Sequence, residues 1–205
     1  MDFIQIKIKK DHSIAKYIRI IRKFDHSLPI GTIKQRIDEN DFVMGFEMAE
    51  FQEGTLDTMM ERLCSSISGF DPEWVTRCVP ATEEQIRQLQ DIFAECHYTV
   101  PTAYLYYLRR MGQNDGGLLE DEGDGEVDIG TVLELLPGKC EDLEKGLFQF
   151  SDHWADACFY MKLSNTEDNP MVTDWGGVYV TESFEKYLFR KAFHMYQRGF
   201  TYTDF

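Results

Sequence analysis

Apolar residues along this chain fall into two rhythms. At the start, Phe3, Ile4, Ile6 and Ile8 interleave with Gln5, Lys7 and Lys9. A period of two predicts a half-buried strand. The spacing then changes to three and four. Ile14, Tyr17, Ile18 and Ile21 share one helical face behind Ser13, a residue type that caps helix starts. Leu28-Pro29-Ile30-Gly31 breaks the chain. Ile33 and Ile37, one turn apart, predict a second helix ending near Asn40. Phe42 to Phe46 reads as a second strand. Leu56, Met59, Met60, Leu63 and Ile67 predict a third helix closed by Gly69, with the two methionines as core filler. Trp74-Val75-Thr76 reads as a last strand. This order of elements predicts a small α/β sandwich over residues 1–80.

A clear helix start opens the remainder. Thr82 and Gln85 have capping-box spacing, and Ile86, Leu89 and Phe93 form the buried face behind them. Pro101 suits the first position of the next helix, where a missing N–H costs nothing. Tyr104, Leu105, Leu108 and Met111 point inward there, and Gly112 stops it. Asn114 to Gly117 is a turn, and residues 118–128 form an acidic loop. Ile129 to Leu136 is apolar and reads as a strand or a short helix. Leu147 to Phe150, Cys158 to Met161, Met171-Val172 and Val178 to Val180 read as strands, with turns at Asp168-Asn169-Pro170 and Gly176-Gly177. Ser183 caps a closing helix that carries Phe184, Tyr187, Leu188 and Phe193. The expected fold class is α+β: an N-terminal module of unknown role over 1–80, then a domain over 81–205 with an antiparallel sheet and flanking helices.

Charge divides the chain at the same place. Residues 1–80 carry 11 bases and 13 acids, whereas residues 81–205 carry 10 and 23, a net of −13. A nucleic-acid binder needs clustered Lys and Arg, and an anionic membrane surface repels such a chain. Neither partner is expected. A basic protein is the natural complement, although acidity also serves plain solubility. Met1 to Ile6 has no basic leader before an apolar run, and no stretch is long enough to span a bilayer. Cys64, Cys78, Cys96, Cys140 and Cys158 are odd in number and lack C-x-x-C spacing. They read as reduced, small hydrophobes of a cytoplasmic protein.

From residue 81 onward the chain resembles the SUKH superfamily, which includes fungal cell-wall regulators and bacterial toxin-immunity proteins. The resemblance rests on an ordered set of segments. These are the helix Ala81 to Ile86, the Pro-started helix Val100 to Leu108, and the turn Gly112 to Gly117. The Leu-rich element Val132 to Leu136, the strand segment Asp156 to Tyr160 and the closing helix Thr181 to Leu188 follow. Val100 stands where the family has Leu, and Ala155 to Ala157 stand where a glycine is common. The resemblance implies binding, not catalysis: a cytoplasmic immunity protein that neutralises a basic, nuclease-type toxin domain. The alternative it leaves open is an intracellular scaffold or regulatory adaptor. In residues 1–80, Ile30-Gly31-Thr32-Ile33-Lys34 and the element order are similar to the C-terminal domain of the bacterial ribosomal stalk protein, and no function is carried over from that.

Candidate binding residues follow from charge and aromatic placement. Asp115, Glu120, Asp121, Glu122, Asp124, Glu126 and Asp128 lie within fourteen residues that contain no base. They read either as a mimic of nucleic-acid phosphates or as a solvated loop. Trp154 and Trp175 sit beside Asp152, Asp156 and Asp174, an arrangement shared by interface anchors and by core aromatics. An EF-hand fails: counted from Asp124, position six is Ile129 and position twelve is Leu135. His153 has only Cys158 at a nearby spacing, so no metal or cofactor is expected. Glu134 is the one carboxylate flanked by leucines, and alternation places it on the polar face. No nucleophile, metal or phosphate-loop motif occurs, and no catalytic residue is assigned.

Overall fold

The fold is α+β, with two small antiparallel sheets among helices. The computed structural model describes residues 3–24, 28–47, 54–119, 128–151, 158–174 and 176–197. The chain divides into two compact units, 1–52 and 53–205.

In the first unit, β1 (Phe3–Lys7) pairs antiparallel with β2 (Phe42–Glu47), with a bulge after Ile6. Between them run α1 (Ile14–Phe24) and α2 (Ile30–Asp38). Ile21, Ile33, Ile37 and Val43 form the buried core, and Ile8, Ile14, Ile18, Leu28 and Met44 pack around it. Ile14, Ile18, Ile21, Ile33 and Ile37 are positions the helical spacing selects. Ile4 and Ile6 of the alternating run are instead exposed, at 45% and 38%, because β1 pairs with β2 alone and that face has no covering layer among the described residues. α2 runs out at Asn40, which adopts φ 55°, a left-handed conformation that asparagine tolerates.

The predicted third helix and last strand do not complete this unit. The helix is α3 (Met59–Ser68), preceded by a 3₁₀ turn at Leu56–Thr58 and ended by Gly69. Trp74 to Arg77 is a helical turn, α4, rather than a strand. Both belong to the second unit, so the division falls near residue 52 and not near Pro80. Two physical causes account for the shift. Met59, Met60, Leu63 and Ile67 are buried, and α3 packs on two helices of the following domain. Trp74 is fully buried, and its indole N–H donates to the Asp115 carbonyl at 2.9 Å, which overrides the strand preference of Trp-Val-Thr.

The second unit continues with α5 (Glu83–Glu95), which starts on the expected capping box between Thr82 and Gln85. Next is α6 (Thr102–Met111), with Pro101 one place earlier than expected, at the cap. Ile129–Leu135 is a helix, α7, followed by a 3₁₀ turn at Leu136–Lys139 and α8 (Cys140–Glu144). β3 (Leu147–Ser151), β4 (Phe159–Lys162), β5 (Val172–Asp174) and β6 (Tyr179–Thr181) form an antiparallel meander in chain order. α9 (Phe184–Gln197) closes the described chain.

Aromatic rings fill the space between helices and sheet. Phe93 of α5 and Tyr104 of α6 meet Phe148 of β3 edge-on at 5.0 and 5.2 Å. Phe184 of α9 meets Tyr104, Tyr107 and Phe150 at 5.6, 5.7 and 5.3 Å, again edge-on. Such geometry adds about 0.5–1.5 kcal/mol per pair beyond area burial. The loop before β5 ties α6 to α9. Asp168 accepts from Thr102 Oγ1 at 2.6 Å, and its carbonyl accepts from the Ala103 N–H. Asn169 exchanges two hydrogen bonds with Glu185, which also pairs with Arg62 of α3.

Candidate functional site

Three of the twelve candidate residues lie within the described residues: Asp115, Asp128 and Asp174. Glu120, Asp121, Glu122, Asp124, Glu126, Asp152, Trp154, Asp156 and Trp175 lie outside them.

Asp115 is 4% exposed. Its position follows from the turn around it. Gly116 and Gly117 adopt φ 66° and 83°, which folds the chain back over the side chain. Leu118 and Leu119 then insert into the core. Asp115 Oδ1 accepts from the N–H groups of Gly117 and Leu118, both at 3.0 Å. Oδ2 accepts from the Leu119 N–H at 3.0 Å and from the Tyr107 hydroxyl at 3.3 Å. A buried carboxylate held by three backbone N–H groups is a structural anchor. Its charge reaches its neighbours. Burial raises the Tyr107 phenol well above its ordinary value, and Asp115 raises it further. Burial, with Asp115 adding to it, pushes the Cys78 thiol up to about 12. Cys78 therefore has no thiolate character near neutral pH.

Asp128 caps α7. Its Oδ1 accepts from the N–H groups of Gly130 and Thr131 at 2.8 and 3.2 Å, and Oδ2 accepts from the Thr131 hydroxyl at 2.8 Å. Of the two readings of this segment, strand or short helix, the structure shows the helix, with Asp128 as its cap and Ile129, Val132 and Leu133 buried at helical spacing. Asp128→Ala should cost about 1 kcal/mol. In a chain of this size that lowers Tm by about 2–4 °C, which a thermal melt would resolve. Asp174 closes the β5–β6 turn: Oδ1 accepts from the Val178 N–H at 2.8 Å, and Gly177 supplies φ 73°.

All three described candidates are thus engaged with backbone N–H groups. Other acids face solvent, and of these the sequence picks out only Glu134, as a polar-face residue. On α5, Glu84, Asp91 and Glu95 are exposed opposite the buried Ile86, Leu89 and Phe93. Glu134 is exposed on α7, which packs on α5, and Glu141 and Glu144 are exposed on α8. Helical periodicity carries the signal for the α5 acids, since they recur at spacings of seven and four on the side opposite the apolar face. Arg87 pairs with Glu84 within this face.

Among the described residues, no group of three or more His, Cys, Asp or Glu is placed to hold a metal ion. No described helix is long and apolar enough to cross a membrane. No protein-family model, curated protein or solved structure matches the chain.

Proposed function

We propose that the chain is a protein-binding immunity protein that neutralises a basic, nuclease-type toxin domain through its acidic second unit. The observation that carries this reading is the charge contrast along the chain. Residues 53–205 hold 28 acids against 12 bases, a net of −16. Exposed acids on α5, α7 and α8 are held on a rigid aromatic core. A nuclease domain is basic because it engages phosphates, and an acidic surface steers and occupies its cationic cleft. The resemblance of residues 81–205 to the SUKH superfamily supports the same class of activity.

In this reading Asp115, Asp128 and Asp174 hold the scaffold. Contact falls to Glu84, Asp91, Glu95 and Glu134, together with the acids of residues 120–126 and with Asp152 and Asp156. Affinity capture from the native cell with the full chain tests the proposal. The expected partner is a basic polypeptide, retained at about 50 mM salt and released at about 500 mM as screening shortens the reach of the charges. E84Q/D91N/E95Q/E134Q should slow association roughly tenfold or more. Recovery of acidic or neutral partners, or association that ignores salt, would sink the proposal.

A second reading, an intracellular scaffold or adaptor, is favoured by one feature. Residues 1–52 form a separate compact unit of nearly neutral charge, with nine bases against eight acids. A partner lost through substitutions in that unit, and not through the α5 substitutions, would support it.

A further inference from the structure

The first unit carries a charge feature opposite in sign to the rest of the chain. α1 contains Lys16, Arg19, Arg22 and Lys23 and no acid. Its inner face is apolar: Ile21 is buried in the unit core, with Ile14 and Ile18 packed against it. Its outer face presents Lys16, Arg19, Ile20 and Lys23, all exposed. These positions are spaced three and four apart, so they form one stripe. Ile20, at the edge of that stripe, is 43% exposed. Two described acids of this unit have other partners. Asp11 accepts from the Ser13 N–H and the Tyr17 hydroxyl, and Asp38 pairs with Lys10. Among the described residues, no acid forms an ion pair with Lys16, Arg19 or Lys23.

We infer that the outer face of α1 is a docking surface for a short acidic protein segment that carries an apolar residue among its acids. Charge complementarity and size select this occupant. Lys16 to Lys23 spans about 10 Å along the helix, the reach of a few peptide residues. A nucleic-acid duplex gains its affinity from a longer basic track, on the order of 6–10 phosphate contacts. Ile20 supplies an apolar contact that a phosphate backbone cannot use and a side chain can. The surface is separate from the acidic one proposed above and does not depend on it.

The test uses the full chain and a fluorescein-labelled peptide with a central leucine flanked by glutamates, followed by anisotropy at low salt. A peptide with glutamine in place of glutamate is the control. The expected result is saturable binding of the acidic peptide only, weakened at least tenfold by K16E/R19E/K23E and about threefold by I20S. E84Q/D91N/E95Q should leave it unchanged, which separates this surface from the acidic one. Thermal melting checks that each variant folds, and K16Q/R19Q/K23Q replaces the reversal set if that set does not. The inference is overturned if the triple variant binds the peptide as the parent does. It is overturned equally if a 20-base-pair duplex binds through the same three residues more tightly than the peptide. Binding replaced by self-association of the chain, seen as a doubled mass by light scattering, also overturns it.

Discussion

Asp115→Ala should lower the free energy of unfolding by about 3–5 kcal/mol, a large share of the 5–15 kcal/mol that holds a typical domain. The substitution removes the acceptor for the N–H groups of Gly117, Leu118 and Leu119 and for the Tyr107 hydroxyl. All four donors lie in a buried region. Each unsatisfied buried donor costs about 1–3 kcal/mol before the structure relaxes. Asp115→Asn should cost less, about 1–3 kcal/mol. One oxygen remains to accept, and the amide can donate to a turned Tyr107 hydroxyl. Urea unfolding would show both as a lower midpoint with an unchanged slope. The Asn variant also separates two roles for this acid. A structural anchor shifts the midpoint and leaves partner affinity intact in the folded protein. An interface acid does the reverse.

Local elements were legible in the sequence because their signals are local. Thr82 with Gln85 marks the start of α5, and Gly112 marks the end of α6. The apolar spacing at Ile33 and Ile37, or at Ile86, Leu89 and Phe93, selects the buried faces directly. The assignment of α3 and α4 was not legible, since it depends on what they meet. Nothing within Met59 to Ser68 says that α6 and α9 cover it. Trp74 reads as a strand residue until its indole finds the Asp115 carbonyl 41 positions away.

Composition misdirected the reading of the acidic run. Asp115 and Asp128 stand at its two ends and count equally with the acids between them. Each nevertheless belongs to a backbone motif. Asn114-Asp115-Gly116-Gly117 is a turn that feeds Leu118 and Leu119 into the core, so the apolar pair draws the carboxylate in with it. Asp128 precedes an apolar helix, the position where a capping acid belongs. Both signals were present in the sequence and were masked by summing charge. By contrast, Glu134 is exposed as its polar-face placement expects, although the segment is the helix α7 and not an alternating strand.

The position of the unit boundary leads to the second large effect. A fragment of residues 81–205 should fail to unfold cooperatively, whereas a fragment of residues 53–205 should melt as the corresponding part of the full chain does. Starting at residue 81 removes Met59, Met60, Leu63, Ile67 and Trp74, five side chains that are 9% exposed or less. Burial of each stabilises by about 1.5–3 kcal/mol, so together they contribute on the order of 10 kcal/mol, comparable to the whole stability of a domain. The loss has a polar side too. The Asp115 carbonyl loses its indole donor, and Glu185 loses the Arg62 guanidinium that pairs with it beside Asn169. α9 also loses a helix packed against it, which uncovers part of an apolar surface that includes Phe189, over which Arg62 lies. Near-ultraviolet circular dichroism and urea titration of the two fragments would decide the matter. A cooperative transition for 81–205 at a midpoint close to that of 53–205 would show that residues 53–80 are an appendage. A broad, probe-dependent transition for 81–205 alone is the outcome that packing of Trp74 and α3 requires.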